Sequence, residues 1–285
     1  MPKKLNAFPY YGGKFYLLNW ILPRLPECRH YVEPFGGGAN ILLNRDPSHV
    51  ETYNDLDIDV VNFFRVLRTD PNNLIQQIIM TPHSRLEFAR ALSPERSDSM
   101  LERARKFYVR AKQSRYGSKR MMHASSWGVV SKTGTSKANK DIEGKMARLA
   151  NIARRMLKVQ IEDIDALKLI KRCDTPDTLF YCDPPYAHEA RACPNEYIHE
   201  MSDEQHIELS ELLQSVKGKV ALSGYDCELY EKLYTEPKWQ KHTYEIRLWA
   251  SSDAGKKRTE CLWTNYKVER GALSPDSNVK KNEDR

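Results

Sequence analysis

The sequence lacks long hydrophobic runs and paired cysteines. No apolar stretch approaches the ~20 residues of a membrane-spanning helix, and the opening Met-Pro-Lys-Lys-Leu is too polar for a signal peptide. The six cysteines lie far apart, without a C-x-x-C pair, which argues against both a zinc knuckle and a disulfide framework. We therefore expect a cytoplasmic protein without a metal centre, in which the cysteines are buried thiols. They are Cys28, Cys173, Cys182, Cys193, Cys227 and Cys261.

Positive charge is concentrated in one segment of the 285-residue chain. Residues 102–158 carry 16 Lys and Arg against three acids, whereas the remaining residues carry 29 basic against 35 acidic side chains. An ordinary solvated surface mixes charges of both signs. The segment therefore indicates a polyanionic partner, most plausibly nucleic acid, although charge alone does not separate DNA from RNA.

The stretch Thr178-Leu-Phe-Tyr-Cys-Asp-Pro-Pro-Tyr186 carries the most distinctive chemistry. Strand-forming residues lead to Asp183, and the two prolines that follow have no backbone N–H, so the strand must end there. The end of a strand in an open α/β sheet faces the ligand crevice. The Asp183 carboxylate and the Pro184 carbonyl could both accept hydrogen bonds from an exocyclic amine while the Tyr186 ring stacks on the base. A surface turn is the alternative interpretation.

Two glycine turns lie near the amino terminus. The first, Tyr10-Tyr-Gly-Gly-Lys14, lacks the spacing and the Ser or Thr of a P-loop, so we exclude nucleotide triphosphate hydrolysis on this motif. The second, Glu33-Pro-Phe-Gly-Gly-Gly38, follows a short strand and opens a helix near Ala39. Glycines at such a turn allow the backbone to approach a ligand closely.

An acidic residue follows the second glycine turn at a sequence spacing that is typical of nucleotide-binding folds. A strand from Val50 to Tyr53 ends in Asn54-Asp55, the position at which nucleotide-binding α/β folds place an acid against ribose hydroxyls. This spacing suits nicotinamide cofactors as well as S-adenosylmethionine. Capping of the next helix is the alternative role for Asp55, and Asp57 or Asp59 could equally be that cap.

Residues 65–158 are mostly helical in pattern. One helix is predicted to end near Tyr116, a second amphipathic helix runs from Met146 to Leu157, and a polar, glycine-containing loop or hairpin separates them. Basic side chains interleaved with an aromatic one suit phosphate contact and base stacking, whereas a disordered linker is the alternative. The candidate DNA-binding residues are Arg115, Lys119, Arg120, Trp127, Lys132 and Lys137.

The sequence from residue 157 onward predicts further strands, helices and loops. The sheet resumes at Leu157 and ends at Glu162-Asp163-Ile164, and the polar stretch from Ala187 to Glu200 is expected to be a loop that closes over the substrate. A helix begins at Ser202, with Gln205 completing a capping box. The last elements are a strand from Val220 to Tyr225 and an antiparallel pair, Tyr244–Trp249 and Glu260–Tyr266.

Asp183-Pro184-Pro185-Tyr186 resembles the signature of amino-group DNA methyltransferases, and the order of motifs over residues 8–266 resembles that of the DNA adenine methylases. The resemblance implies a Rossmann-like α/β sheet that binds S-adenosylmethionine, with an inserted, mainly helical target-recognition domain. The implied division is a catalytic domain at 1–64 and 159–270, an insertion at 65–158 and a polar tail at 271–285. The implied activity is site-specific adenine-N6 methylation of double-stranded DNA in a bacterial or phage-infected cell.

The resemblance also assigns residues. Asp163 would face the amine of the cofactor's adenine, and Glu162 is a close alternative for that contact. Ordinary capping of the next helix is the competing role for Asp163. The implied catalytic residues are Asp183, Pro184 and Tyr186. The implied cofactor-binding residues are Tyr10, Gly12, Gly13, Lys14, Glu33, Phe35, Gly36, Gly38, Asp55, Asp163, Ile164 and Asp183.

The chain departs from the family at three positions. Tyr10 stands where the family more often has Trp, and Pro9 replaces the lysine that precedes it. Lys119 follows Arg115-Tyr-Gly, where members that recognise GATC carry Asn. The recognition sequence is therefore not predicted.

Rival functions account for fewer of these features. A nicotinamide-dependent dehydrogenase would explain the glycine turn and Asp55 but not the Asp-Pro-Pro-Tyr turn or the basic segment. A non-catalytic nucleic-acid-binding protein would explain the basic segment alone. Cytosine-N4 methylation is the nearest rival, because cytosine offers the same amine, although its enzymes usually carry Ser in place of Asp183.

Overall fold

A mixed seven-stranded sheet with flanking helices forms the fold. The structure is a computed structural model, and it describes residues 4–95, 97–114, 127–128, 142–187, 189, 199–247 and 257–268. The strand order is β3-β2-β1-β4-β5-β7-β6, which confirms the predicted α/β class. The strands are β1 (His30–Glu33), β2 (Val50–Asn54), β3 (Val159–Glu162), β4 (Thr178–Cys182), β5 (Lys219–Tyr225), β6 (Gln240–Arg247) and β7 (Lys257–Thr264).

Helices separate most of the strands, and five of those described lie between β2 and β3. Two short 3-10 turns, Lys14–Leu17 and Leu22–Arg24, flank α1. The α-helices are α1 (Leu18–Ile21), α2 (Asn40–Asn44), α3 (Ile58–Thr69), α4 (Pro71–Met80), α5 (Arg85–Leu92), α6 (Met100–Gln113), α7 (Ile142–Met156), α8 (Ala166–Cys173), α9 (Asp203–Ser215) and α10 (Glu228–Leu233). Among the described residues, no helix is long and apolar enough to cross a membrane.

The chain divides into two compact units. Unit 1 comprises Met1–Phe15, Gly36–Arg45 and Tyr53–Ile164, and unit 2 comprises Tyr16–Phe35, Asp46–Thr52 and Asp165–Arg285. The predicted inserted domain at 65–158 stays a prediction.

Unit 1 has an aromatic core. Phe8 packs edge-to-face against Phe63 and Phe107, with ring centroids 5.0 and 4.9 Å away. Asp57 is the N-cap of α3, since its side chain accepts a hydrogen bond from the Asp59 backbone N–H at 3.0 Å. This settles which of the predicted alternatives caps that helix.

The helix predicted to reach Tyr116 ends earlier, at Gln113. Ser114 leaves the helix with an extended backbone (φ −76°, ψ 144°) and forms an isolated antiparallel bridge with Trp127. The Gly128 N–H donates to the Gln113 carbonyl at 2.7 Å. Pairing with this returning segment therefore replaces the last turn of the predicted helix.

Unit 2 is built around β4, in which every residue is buried. The strand pairs in parallel with β1 and with β5, and its Cys182 is in register with Leu222. Strand β7 pairs antiparallel with β5 and with β6, which confirms the predicted terminal pair, although β6 begins at Gln240 rather than Tyr244 and β7 at Lys257 rather than Glu260. Ser202 and Gln205 form the predicted capping box of α9.

The expectation of uniformly buried cysteines is wrong for two of them. Cys173, Cys182 and Cys261 are buried, but Cys28 and Cys227 are only half-buried. Both lie outside regular elements, Cys28 before β1 and Cys227 at the start of α10, where the chain is less covered. Cys193 lies outside the described residues.

Candidate active site

Strand β4 presents Asp183 and the two prolines directly after its last buried residue. Asp183 is half-buried and Pro184 is buried. The strand is fixed at its start as well, because the Thr178 hydroxyl donates to the Cys173 carbonyl at 2.7 Å. The turn predicted to carry the catalytic groups therefore lies at the carboxyl end of a buried strand of unit 2 that pairs with a strand on each side.

Tyr186 is buried and held by its hydroxyl group. The residue is 3% exposed, and its hydroxyl donates to Glu260 Oε2 at 3.0 Å and lies 3.4 Å from the Ser223 hydroxyl. Its ring packs edge-to-face against Tyr225, with centroids 4.5 Å apart. The Tyr16 hydroxyl donates to the other oxygen of Glu260 at 2.7 Å. Stacking of Tyr186 on a base stays a prediction.

The thiol next to Asp183 is held in its neutral form. Burial, and then the charge of the Asp183 carboxylate, raise the pKa of Cys182 well above its usual range. Methylation of a ring carbon requires a thiolate that attacks the base. A thiol that stays protonated does not fit that chemistry, whereas direct methylation of an amine requires no such nucleophile.

In unit 1, the end of β2 organises the second glycine turn. The Asn54 carbonyl accepts a hydrogen bond from the Gly36 N–H at 2.8 Å, and Asp55 Oδ2 accepts one from the Gly37 N–H at 2.7 Å. The Tyr53 hydroxyl donates to the Gly37 carbonyl at 2.8 Å. Three consecutive residues of one strand end therefore fix the loop that we predicted to approach the cofactor.

The Asn54 side chain also holds the loop after β3. Its amide donates to the Ile164 carbonyl and accepts from the Ile164 N–H, both at 3.0 Å. Asp163 is exposed and forms an ion pair with Arg65 at 3.0 Å. The helix that follows is capped by Asp165 rather than by Asp163, since Asp165 accepts from the Lys168 N–H. The predicted roles of Asp163 and Ile164 toward the cofactor adenine stay predictions.

The first glycine turn packs on the second within unit 1. The Gly13 N–H donates to the Tyr10 carbonyl at 3.0 Å, and the buried Lys14 ammonium donates to the Gly12 carbonyl at 2.8 Å. A Cβ atom on Gly37 would lie 2.8 Å from the Tyr10 ring, and the φ of Gly37 is +46°. Both the space and the backbone conformation therefore require glycine at that position.

Two further predicted cofactor residues, Glu33 and Phe35, belong to unit 2. Glu33 is 2% exposed, and its Oε1 accepts a hydrogen bond from the Tyr31 hydroxyl at 2.7 Å. Phe35 is half-buried in the segment that leads into the second glycine turn. The side chain of Glu33 is therefore fixed on β1 itself.

The residues of unit 1 fit the polar groups of S-adenosylmethionine. Asp55 is a half-buried carboxylate at the end of β2, and a carboxylate accepts hydrogen bonds of the kind that ribose hydroxyls donate. Asn40 Oδ1, at the start of α2, is buried and accepts no hydrogen bond from any residue that the structure describes. A buried acceptor that receives no hydrogen bond from the protein can receive one from a ligand.

Many cations of the basic segment are bound to acids within unit 1. Arg103 and Arg110 both pair with Asp59, at 2.9 and 2.5 Å, and Lys106 pairs with Asp98 at 2.7 Å. Lys106 and Arg110 are also buried. These side chains of α6 therefore stabilise the fold, and the excess of positive charge in the sequence overstates the charge that α6 offers to a polyanion.

Trp127 is half-buried between two side chains. Its ring lies 5.2 Å from the His83 ring, and the exposed Arg85 guanidinium lies 4.6 Å from the Trp127 centroid on a ring face. His83 Nε2 forms a hydrogen bond with the Gly128 carbonyl at 3.0 Å. The role of Trp127 in DNA binding stays a prediction. Arg115, Lys119, Arg120, Lys132 and Lys137 lie outside the described residues.

The sequence patterns missed three residues of these clusters. The sequence identifies Asn54 only as the end of a strand and Glu260 only as the start of one, and it does not identify Arg85. Their partners are distant in the chain, up to 244 residues away for Glu260 and Tyr16, so no local pattern identifies them. The described residues contain no group of His, Cys, Asp and Glu that could hold a metal ion.

Comparisons with known proteins agree on one class of enzyme. Residues 10–247 match the model of the D12 class N6 adenine-specific DNA methyltransferases. The Type II methyltransferase M1.LlaDCHI of Lactococcus lactis is 26% identical over 92% of this chain and 97% of its own length. The DNA adenine methylase of Escherichia coli K12 is 25% identical over 96% of this chain and 99% of its own length.

Solved structures also resemble this chain. The SAM-dependent methyltransferase from Agrobacterium tumefaciens aligns with 88% of this chain and 59% of its own, at 10% identity and a TM-score of 0.35. This structural similarity is too low to support any conclusion about the fold beyond the strand order given above.

Proposed function

The chain belongs to the D12 class of N6 adenine-specific DNA methyltransferases, which use S-adenosylmethionine, and from this premise we propose how it selects and holds its substrate. The proposed reaction is transfer of a methyl group to the exocyclic amine of an adenine that has left double-stranded DNA, at one short recognition sequence. The observation that carries this proposal is Asp183-Pro-Pro-Tyr186 at the end of the buried strand β4.

The Asp183 carboxylate and the Pro184 carbonyl are the proposed acceptors for the two N–H groups of the adenine amine. The amine lone pair is delocalised into the ring and is a weak nucleophile. Two acceptors draw the nitrogen toward tetrahedral geometry and localise the lone pair on it. The nitrogen would then gain the methyl group as its bond to sulfur breaks, and would lose one proton, for which we propose Asp183 as the acceptor because it is also the proposed acceptor of that N–H.

The cofactor-binding role falls to the residues around the two glycine turns. Asp55 would hold the ribose hydroxyls, Asp163 and Ile164 the adenine ring, and Asn40 would accept a hydrogen bond from a polar group of the cofactor. S-adenosylmethionine, when bound, supplies a methyl group on a positively charged sulfur. The remaining proposed contacts are Tyr10, Gly12, Gly13, Lys14, Glu33, Phe35, Gly36 and Gly38.

Base flipping follows from the chemistry of the amine. In duplex DNA the adenine amine is paired with thymine, so the acceptors of Asp183 and Pro184 cannot reach both of its protons. We therefore propose that the enzyme acts on duplex DNA in the cytoplasm and extrudes the target base. M1.LlaDCHI is named a Type II methyltransferase and StsI of Streptococcus sanguinis a modification methylase, which supports action at a defined recognition sequence.

The test is methylation of unmethylated bacterial genomic DNA by the purified protein with S-adenosylmethionine, read by nucleoside mass spectrometry and single-molecule sequencing. We expect N6-methyladenine in one short sequence context, and in duplex oligonucleotides that contain that context. Methyladenine without any preferred context, or methylation of single-stranded DNA or RNA alone, would contradict the proposal.

Asp183 is the residue on which catalysis should depend most. We expect Asp183→Ala to lower the methylation rate by about 100- to 1,000-fold, the order that loss of a transition-state contact produces, while DNA binding changes little. The matched control is Asp177→Ala, an exposed acid of the same unit, which should keep full activity. Retained turnover in Asp183→Ala would remove this residue from the mechanism.

A further inference from the structure

Glu260 joins two tyrosines of unit 2 through one buried carboxylate. One oxygen accepts a hydrogen bond from Tyr16 at 2.7 Å, and the other accepts one from Tyr186 at 3.0 Å. We propose that Glu260 is a positioning residue that fixes the Tyr16 ring as a contact surface for the target base. This inference rests on the proposed function and deepens it, because it names a further residue that the base would touch.

The burial of Glu260 requires an explanation. The residue is 1% exposed, and among the residues that the structure describes it forms no salt bridge. A buried carboxylate without compensation is costly, and here two phenol donors supply the compensation. An apolar residue on β7 would pack without that cost, so the carboxylate is best explained by what it holds.

Strand pairing fixes where the carboxylate lies. Glu260 is in register with Tyr225 at the end of the β5–β7 pair. Ser223, two residues earlier on β5, lies 3.4 Å from the Tyr186 hydroxyl. Two paired strands therefore fix the backbone of Glu260 at a point from which its carboxylate reaches both phenols.

Tyr16 and Tyr186 differ in exposure although they share one partner. Tyr186 is 3% exposed, whereas Tyr16 is 57% exposed. Burial of its hydroxyl end, together with the Glu260 carboxylate and a weaker effect of Asp183, raises the pKa of Tyr16 well above its usual range. The phenol is thus a permanent donor within electrostatic reach of Asp183.

An exposed ring with an immobilised tip is suited to a flat ligand. An exposed tyrosine ordinarily samples several rotamers, and ordering it on binding costs free energy. The bond to Glu260 removes that freedom beforehand, while the ring remains accessible. Aromatic rings stack on the flat faces of nucleobases, whichever base is presented. A purine base extruded toward Asp183 is the ligand that this arrangement fits.

The experiment compares Tyr16→Phe, Tyr16→Leu and Glu260→Gln in the full chain, with the sequence that the wild-type enzyme methylates. Single-turnover methyl transfer, affinity for S-adenosylmethionine, and the fluorescence of 2-aminopurine at the target position are measured. Tyr16→Phe keeps the ring and loses the anchor, whereas Tyr16→Leu loses both. Tyr266→Phe is the matched control, since it removes another phenol of unit 2, which donates to the Arg24 carbonyl.

We expect Tyr16→Phe and Glu260→Gln each to slow methyl transfer about tenfold, with cofactor affinity within twofold of wild type. Tyr16→Leu should also lower the 2-aminopurine signal. If one interaction is responsible, the variant Tyr16→Phe with Glu260→Gln should be no slower than Glu260→Gln alone. Tyr266→Phe should leave the rate unchanged.

Rates equal to wild type in both Tyr16 variants would overturn the inference, and so would effects that multiply in the double variant. Should Glu260→Gln fail to fold, the two Tyr16 variants decide the matter, because Tyr16 lies at the surface. A wild-type enzyme that methylates no adenine would contradict the proposed function instead, so the two failures are distinguishable.

Discussion

A single buried amide, Asn54, holds two loops of unit 1. Its side chain makes both hydrogen bonds to the backbone of Ile164, and its carbonyl accepts from Gly36. Asn54 is fully buried, so truncation would leave backbone groups without partners in the interior. The contribution of this residue is to position the loops, and the cofactor would contact the loops themselves.

We expect Asn54→Ala to weaken binding of S-adenosylmethionine at least tenfold and to lower stability by about 1–3 kcal/mol. Calorimetric titration and urea denaturation measure the two effects. Asn62→Ala is the control, since Asn62 is also buried and donates to a backbone carbonyl, that of Met100 in α6. Both variants should lose stability, and only Asn54→Ala should lose affinity. Equal affinities in the two would show that Asn54 has a purely structural role.

At the scale of elements, the glycine loop after β1 depends on a backbone conformation. Gly37 has a φ of +46°, and an added Cβ would meet the Tyr10 ring at 2.8 Å. Gly37→Ala should therefore destabilise the protein by about 1–3 kcal/mol and weaken cofactor binding, as measured by thermal shift with and without S-adenosylmethionine. Gly144→Ala in α7 should have the opposite sign, up to about 1 kcal/mol stabilising, because alanine favours a helix. Destabilisation of similar size in both variants would contradict this account of the loop.

Most elements were predictable because local patterns specify them. The end of β4 follows from two prolines after Asp183, and the start of α9 follows from the Ser202 capping box. The end of α6 was not predictable, because pairing with Trp127 terminates it. Helix propensity is weak where a tertiary partner competes.

The candidate site was predictable only in part, for a similar reason. Motifs of adjacent residues, such as the glycine turns and Asp183-Pro-Pro-Tyr186, are visible in the sequence. The ion pairs of Asp59 with Arg103 and Arg110 are not, because their partners lie 44 and 51 residues away. Local composition therefore predicts a uniformly basic surface, whereas in the folded protein several of these cations are paired with acids.

For the whole molecule, the basic segment remains the proposed source of DNA affinity. Four of the five cations of α6 are bound to acids, so we assign phosphate contact to the residues that follow the helix, namely Arg115, Lys119 and Arg120. Each phosphate contact releases counterions, and the logarithm of affinity falls against the logarithm of salt concentration with a slope of about −0.9 per contact. Replacing all three by alanine should weaken binding and reduce the magnitude of that slope by up to about 2.7. Fluorescence anisotropy with a labelled duplex, from low to moderate salt, measures it.

The control for this prediction removes the same amount of charge elsewhere. Lys168, Lys171 and Lys217 are exposed on unit 2, so their replacement by alanine lowers the net charge equally. If DNA affinity depended only on long-range attraction by the net charge, both triple variants would lose affinity to the same extent. We expect a smaller slope in the first variant alone, because released counterions report direct phosphate contacts. An unchanged slope there would remove Arg115, Lys119 and Arg120 from the DNA interface.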